Sequence, residues 1–384
     1  MKDNILLSFI MPCYNASKYI KTCIETIINE CEKAEFCSFE IIAVNDGSTD
    51  DTKDILDGLM KRKEYRLNVI NQQNSGVSAA RNIGIAQAKG CWIWFVDADD
   101  VISADSVCTL KERIFGGTTE TDCIIFGFRT IDGNSITERM PLVPAGKIIN
   151  DDITVDNSVL DELYIKNISG YSQKNINRLY NGMPISEHEI FLLGTVWHYL
   201  FRRDVIDCNK LCFDEKVSLN EDGLFTVEYL SCITKATIIN NTCYDYRLNS
   251  TGGLFGTLNN PKKMTMNKIA IAKGRERLRK KILERSEKDI RPYYLGSIVL
   301  SAMEIAAKST KGKLDMELMK LYLSYCCSEV AKFSINNIST KGAPLKYKIP
   351  FVMLKLGLHR TVFLIMWLIQ KSGYQITGKN SLFK

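Results

Sequence analysis

The stretch CWIWFVDADD, residues 91 to 100, runs from aromatic and aliphatic side chains into three carboxylates within four positions, Asp97, Asp99 and Asp100. The apolar half reads as a buried strand, and the acidic half as the loop into which that strand opens. Like charges at this spacing repel, so crowding them costs free energy unless a cation lies between them. A D-x-D at a strand end suits one hard divalent cation, Mg2+ or Mn2+, which keeps waters and takes its other ligands from phosphates. Alone, the motif is better read as a helix N-cap with extra surface charge, because residues from Ser103 onward have a helical pattern that Asp100 is placed to cap. Its surroundings reverse that preference.

Upstream, short apolar runs alternate with amphipathic segments. LLSFIM (6–11), FEIIAVN (39–45) and RLNVIN (66–71) read as strands, with CWIWFVD (91–97) as the fourth. Between them lie helical patterns: one opened by Ser17 and carried by Ile20, Ile24, Ile27 and Ile28, one around Ile55, Leu56 and Leu59, and VSAARNIGIAQAK (77–89). Strands apolar on both faces and separated by helices form a parallel sheet covered on both sides, so the first third is an open α/β sheet. Ligands of such sheets bind beyond the carboxyl ends of the strands. The polar clusters PCYN, NDGSTDD, NQQNSG and DADD all fall there.

Residues 131 to 189 carry a weak pattern, read as variable strands and loops. Regular signal returns at GTVWHYLFRRDVI (194–206), VSLNEDGLFTVEYL (217–230) and YDYRLNSTGG (244–253), and residues 261 to about 333 look helical. At 384 residues the chain is too long for one small core. Thirteen cysteines without metal-ligand spacing read as reduced thiols of a cytoplasmic protein, and the short apolar N-terminus reads as a first strand. After Glu329 there is no acidic residue but nine lysines and arginines, so the last segment carries +9 of a net +6. Within it PFVMLKLGLHRTVFLIMWLIQK (350–371) has the length to cross a bilayer, but Lys355, His359 and Arg360 interrupt it. A helix lying in the membrane interface, with lysines toward anionic lipid, fits both the charge and the apolar run; docking on the protein or on a second copy is the alternative.

Further candidates follow from residue chemistry. Asp46 can accept from a nucleobase N–H, with Gly47 allowing a tight turn beneath a flat ring; Asp50 and Asp51 read as plain turn residues. Tyr14 can stack on a base or simply pack. Arg81, beside two alanines on its helix, can reach the strand ends and pair with a carboxylate or phosphate. Glu221 and Asp222 open a helical stretch, where a general base needs one carboxylate aimed at a hydroxyl and a neighbour to tune it. Acids at a helix N-terminus are also common for dipole reasons alone.

Taken in order, PCYN (12–15), VNDGSTDDT (44–52), QNSGVSAARNIGI (73–85), FVDADD (95–100) and NEDGLF (220–225) resemble the family 2 glycosyltransferases with the GT-A fold over roughly residues 4 to 250. The resemblance implies a Rossmann-like α/β GT-A domain over residues 1–255; beyond it, pattern and charge read as a helical region over 256–340 and a basic amphipathic membrane-associating tail over 341–384. Pro12 and Tyr14 would lie beside the base, Asp46 would read its edge, and Asn74 and Arg81 would support base and diphosphate. Asp97 and Asp99 would hold ribose and metal, Asp99 most directly. Asp222 would be the base, Glu221 its neighbour at the acceptor, and Arg247, Ser250 and Thr251 would close on the diphosphate. The implied reaction is an inverting, metal-dependent sugar transfer from a nucleotide-sugar, UDP before GDP or dTDP, to a glycan or lipid-linked acceptor.

The expected place is the cytoplasmic face of the cell membrane, peripherally bound, with no nucleic-acid partner and a homo-oligomer left open. Many relatives carry Asn-Lys where this chain has His198 and Tyr199 after Trp197, which puts the acceptor in question; His198 either touches acceptor or phosphate or packs beside Trp197. The rival reading is a catalytically silent nucleotide-sugar or glycan binder within an assembly complex. A nucleotidyltransferase would carry a glycine-rich basic loop after its first strand, which PCYNASKYI is not.

Overall fold

The computed structural model describes residues 5–115, 121–144, 152–183, 193–248, 260–308 and 314–371. The chain forms two compact units, Met1–Ile165 with Gly194–Thr251, and Lys166–Leu193 with Gly252–Lys384.

The first unit is built on a mixed sheet with ten strands among the described residues. In chain order these are β1 Leu7–Cys13, β2 Phe39–Asp46, β3 Leu67–Gln72, β4 Trp92–Phe95, β5 Val101–Ile102, β6 Cys123–Asp132, β7 Ser135–Arg139, β8 Ile153–Asp156, β9 Tyr199–Arg202 and β10 Lys235–Arg247. The spatial order is β3-β2-β1-β4-β9-β6-β10-β5, with β7 added on β6 and β8 on β10. The β3-β2-β1-β4 part is wholly parallel. Beyond it the pairing is mixed: β9 runs antiparallel to both β4 and β6, and β10 lies parallel to β6. The apolar runs explain the parallel part, since every residue of β2 is buried.

Helices α1 Ile20–Lys33, α2 Thr52–Met60 and α3 Val77–Gln87 connect the parallel strands, followed by α4 Ser106–Phe115. α1 buries Ile20, Ile24, Ile27 and Ile28, the periodic isoleucines of the sequence. It starts at Ile20, later than Ser17, because the backbone N–H of Ser17 is drawn to Asp50 (3.0 Å). α3 presses its small residues onto the sheet: Ala80 is fully buried, and a Cβ on Gly84 would overlap Cγ2 of Ile10 in β1. This close seating is what the SAARNIG segment encodes.

Two local expectations are corrected. No helix begins at Ser103 for Asp100 to cap; Val101–Ile102 is a short strand and α4 starts at Ser106. Residues 131–183 are not only strands and loops: α5 Asn157–Leu160, α6 Lys166–Ser169 and α7 Gln173–Tyr180 follow β8. Asp100 is drawn to tertiary partners instead of a helix, whereas Asp156 caps α5 locally with its side-chain oxygen.

Two further helices belong to the first unit, α8 Arg203–Asn209 and α9 Glu221–Leu230. The second unit is helical after residue 260: α10 Pro261–Ser286, α11 Arg291–Lys308, α12 Met316–Cys326, α13 Glu329–Asn337, α14 Leu345–Lys355 and α15 His359–Lys371. Asn260, Asp315 and Ser328 cap three of them through side-chain oxygens, a favoured use of these residue types. The segment 350–371, read from sequence as one helix, is broken at residues 356–358, where Gly357 takes φ +74°. None of the thirteen cysteines forms a disulfide.

Replacing Gly84 by valine should destabilise the protein by about 2–3 kcal/mol, as overpacking against a rigid β-branched neighbour does. Chemical denaturation measures this; an unchanged midpoint would mean that α3 does not seat on β1 at this distance.

Candidate functional site

Four loops at the carboxyl ends of β1 to β4 are stitched together by short polar contacts. Asn15 and Ser48 lock the first loop to the second: the backbone N–H of Asn15 donates to Ser48 Oγ (3.0 Å), and that of Thr49 to Asn15 Oδ1 (2.8 Å). Asp50 closes a turn on Thr52 (3.0 Å), the plain role read for it from sequence. Asp46 then ties the second loop to the third. Its carboxylate accepts from Gln72 Nε2 (2.6 Å) and from the backbone N–H groups of Ser75 (2.7 Å) and Gly76 (2.9 Å). Gly47 sits where the two loops nearly touch, at φ +68°, with a Cβ there only 2.7 Å from the Asn74 nitrogen. Tyr14, 52% exposed, and Asn74 face solvent on these loops, and Pro12 is half-buried beside them.

The fourth loop holds the acidic cluster. Phe95 anchors it from below, meeting Phe201, Phe213 and Phe225 edge-on at 5.4–5.9 Å. Asp97, just past β4, receives Arg81 Nη2 on Oδ1 at 3.0 Å. Arg81 is only 3% exposed, and its Nη1 reaches Asp222 Oδ1 at 2.5 Å and Glu221 Oε1 at 3.2 Å. One guanidinium on α3 therefore joins the D-x-D loop to the start of α9, far along the chain at Glu221 and Asp222. The guanidinium also lies over the Phe213 ring at 5.3 Å, which fixes its plane. Sequence reasoning expected Arg81 to meet a carboxylate or a phosphate; the structure commits it to three carboxylates.

Asp222 is the most perturbed of them. Burial pushes its carboxyl well above the usual carboxylate range, Arg81 pulls it back, and Glu221 and Asp97 push it up again. A backbone N–H from Val196 also favours the charged form. Its side chain keeps 16% of its surface open, so a ligand can reach it. Asn220, before α9, adopts φ +62°, and this sharp entry puts both acids in the first turn, where the helix dipole favours negative charge.

Asp100 is a structural hub rather than a helix cap. Its oxygens accept from Tyr244 Oη (2.9 Å) and from the Arg247 backbone N–H (2.8 Å), while Tyr244 Oη accepts from the Asp97 backbone N–H (3.0 Å). This binds the end of β10 to the acidic loop and brings Arg247 there, its Nη1 3.4 Å from the Asp99 carbonyl oxygen. Next along β10, Asp245 takes a bidentate pair from Arg129 at 2.7 and 2.6 Å. Tyr244 and Tyr246 stack on Trp197 at 4.6 and 5.4 Å. Sequence reasoning missed Asp100, Tyr244, Asp245 and Arg129 in these roles; an aspartate between two tyrosines on an otherwise buried strand was the available signal. Ser250 and Thr251 lie outside the described residues.

His198 is a packing residue. It stacks on Phe128 at 5.4 Å, sits 3.2 Å from Thr195 Oγ1, and burial holds its pKa down at about 3, so it stays neutral.

A divalent cation fits the Asp97–Asp99 loop chemically. Burial first, and then the charges of Asp99 and Asp97, drive the Asp100 carboxyl well above its usual range. Asp97 and Asp99 carry hard carboxylate oxygens of the kind such a cation takes. Among the described residues no group of three or more His, Cys, Asp or Glu is arranged to hold a metal ion, so such a cation would take its remaining ligands from water and phosphate.

Arg81→Met should cost about 3–5 kcal/mol, because it leaves a buried acidic cluster uncompensated. Without Arg81 the folded-state pKa of Asp222 rises further above its unfolded value, so the variant loses stability as pH rises and recovers it as pH falls. Denaturation at pH 5 and pH 8 reads this; a penalty independent of pH would contradict the pairing.

Residues 8–174 match the family model Glycosyl transferase family 2. Glu221, Asp222 and Arg247 lie beyond that match. The chain is 28% identical over 244 residues to the uncharacterized glycosyltransferase EpsJ of Bacillus subtilis (strain 168), covering 64% of this chain and 61% of EpsJ. It is 30% identical over 250 residues to the glycosyltransferase EpsH of the same organism, covering 63% of this chain and 60% of EpsH. It thus spans about three-fifths of the length of these curated relatives. Among solved structures, residues 1–349 of Staphylococcus aureus TarS in complex with UDP-GlcNAc share the fold, with TM-score 0.56, 16% identity and coverage of 96% of this chain and 92% of that one. The ordered loops, the mixed sheet and these likenesses agree: the chain is similar to the family 2 glycosyltransferases over residues 8–174, and it has a GT-A fold followed by a helical C-terminal region.

Proposed function

We propose that the protein is an inverting glycosyltransferase that moves a sugar from a nucleotide-sugar, UDP-linked in the first instance, to a hydroxyl of a cell-surface glycan or lipid-linked acceptor. The observation that carries this reading is the Arg81 junction, which holds Asp222, a carboxylate of raised pKa with an open edge, against the D-x-D loop. A carboxylate whose pKa is raised above its usual range is a stronger base than an ordinary one and suits taking a proton from an attacking hydroxyl. Support also comes from relatives. The structure sharing this fold was solved with UDP-GlcNAc, and TarS is named a poly(ribitol-phosphate) beta-N-acetylglucosaminyltransferase.

In this reading the nucleotide lies along the loops after β1 to β3. Tyr14 offers an exposed ring, Asn74 a polar edge and Pro12 a rigid wall. Asp46, with three donors already on its carboxylate, keeps one acceptor position for a base N–H while holding the loop in place. Asp97 and Asp99 would hold the cation, whose chemistry when bound is to neutralise charge on the departing diphosphate. Arg247, delivered by the Asp100–Tyr244 bracket, adds a cation at the same loop. Asp222 accepts the acceptor proton, and Arg81 orients its carboxylate and stabilises the charged form. Glu221, on the same guanidinium, completes the wall on the acceptor side. A single displacement by the acceptor hydroxyl inverts the anomeric centre, since the reading assigns no second carboxylate as a nucleophile.

Two experiments test this. Asp222→Asn should lower kcat by about 10²–10⁴, the usual worth of a general base, with donor affinity nearly intact; lost donor binding would mean that Asp222 is misassigned. UDP or UDP-sugars with Mn2+ should raise the melting temperature by several degrees, more than nucleotide or metal alone, and Asp99→Ala should erase the metal-dependent part. Stabilisation by nucleotide without turnover of any donor would favour the silent-binder reading.

A further inference from the structure

The last two helices of the second unit each have one face docked and one face left over. On α14 the inner side is Pro350, Phe351 and Leu354, all buried; on α15 it is Val362, Phe363 and Met366, with the Phe363 ring 5.3 Å from that of Tyr322 on α12. The opposite sides are apolar too. Leu345, Ile349, Val352 and Leu356 follow the i, i+4, i+7, i+11 spacing of a single helical stripe, and Leu345 and Leu356 are each 70% exposed. Leu364, Ile365 and Leu368 form a second stripe on α15, with Leu368 56% exposed. Burying both sides of a helix that already packs on its own unit requires a second apolar medium.

The charge around these stripes says which medium. Lys346, Lys348, Lys355 and Arg360 are exposed beside them, and no acidic residue occurs anywhere from 330 to 384. A self-complementary interface between two copies would set this one-signed charge against itself, which is repulsive. An anionic lipid surface matches both features: leucines enter the acyl boundary and lysines meet the headgroups. The helices are short and separated at Gly357, and among the described residues no helix is long and apolar enough to cross a membrane. We propose that α14 and α15 form an in-plane seat that holds this protein on an anionic bilayer. The proposal is independent of the chemistry assigned to Asp222.

The full chain, floated with vesicles of phosphatidylglycerol and phosphatidylcholine, should rise with them, stay behind with phosphatidylcholine alone, and be released by high salt. Leu345→Ser/Leu356→Ser/Leu368→Ser should abolish flotation. Lys346→Glu/Lys348→Glu should weaken it by about tenfold or more. Both variants alter exposed positions and should melt like the parent, so a loss of binding is not a loss of fold. Equal binding to neutral vesicles, full binding by either variant, or a dimer that the leucine changes convert to monomer without any lipid binding would each overturn the proposal.

Discussion

A buried guanidinium surrounded by carboxylates is the constraint on which the site depends. Arg81 can be desolvated only because Asp97, Glu221 and Asp222 converge on it, and those acids can be crowded only because Arg81 stands between them. Neither half is tolerable alone. The cluster couples the loop after β4 to the start of α9, so the site forms only when the two distant parts of the chain have both folded. Burial lifts Asp222 first, and the excess of three acids over one arginine adds to that rise.

The surrounding framework serves that junction. Small residues let α3 lie close on β1, which brings Arg81 under the strand ends; larger side chains would hold the guanidinium away from Asp97. The bracket from Asp100 through Tyr244 to Arg247 fixes the other side of the acidic loop and draws the end of β10 to it. The loops after β1, β2 and β3 are fastened to one another by Asn15 and Asp46, so a ligand meets a surface already shaped. In the second unit, stability and surface are separated by helix face, with aromatic packing within and leucine and lysine outside.

Much of the first unit was legible in the sequence because its strands are apolar on both faces and its loops are rich in Asp, Asn and Gly, so pattern and topology agree. The candidate residues in PCYN, VNDGSTDDT, FVDADD and NEDGLF fall at strand ends or a helix start because turn chemistry put them there. The mixed pairing of β9, β6 and β10 was not legible, since a strand's partner is chosen by tertiary packing. The same holds for Asp100, whose partners Tyr244 and Arg247 lie about 145 residues away and whose local context resembles a helix cap. The break at Gly357 hid inside a run whose hydropathy is continuous, because one positive-φ residue changes direction without changing composition. His198 was ambiguous until burial among aromatic rings made it neutral.

The central claim is that burial raises the Asp222 carboxyl above the ordinary carboxylate range and that Arg81 opposes this rise and favours the charged form. The direct measurement is a titration of the Asp222 carboxyl by 13C NMR, with its resonance assigned by its disappearance in Asp222→Asn. The account predicts a midpoint well above the ordinary carboxylate range, moving higher still when Arg81 is replaced by methionine, since burial and Glu221 would then act unopposed. A midpoint in the ordinary range, or one indifferent to Arg81, would contradict it.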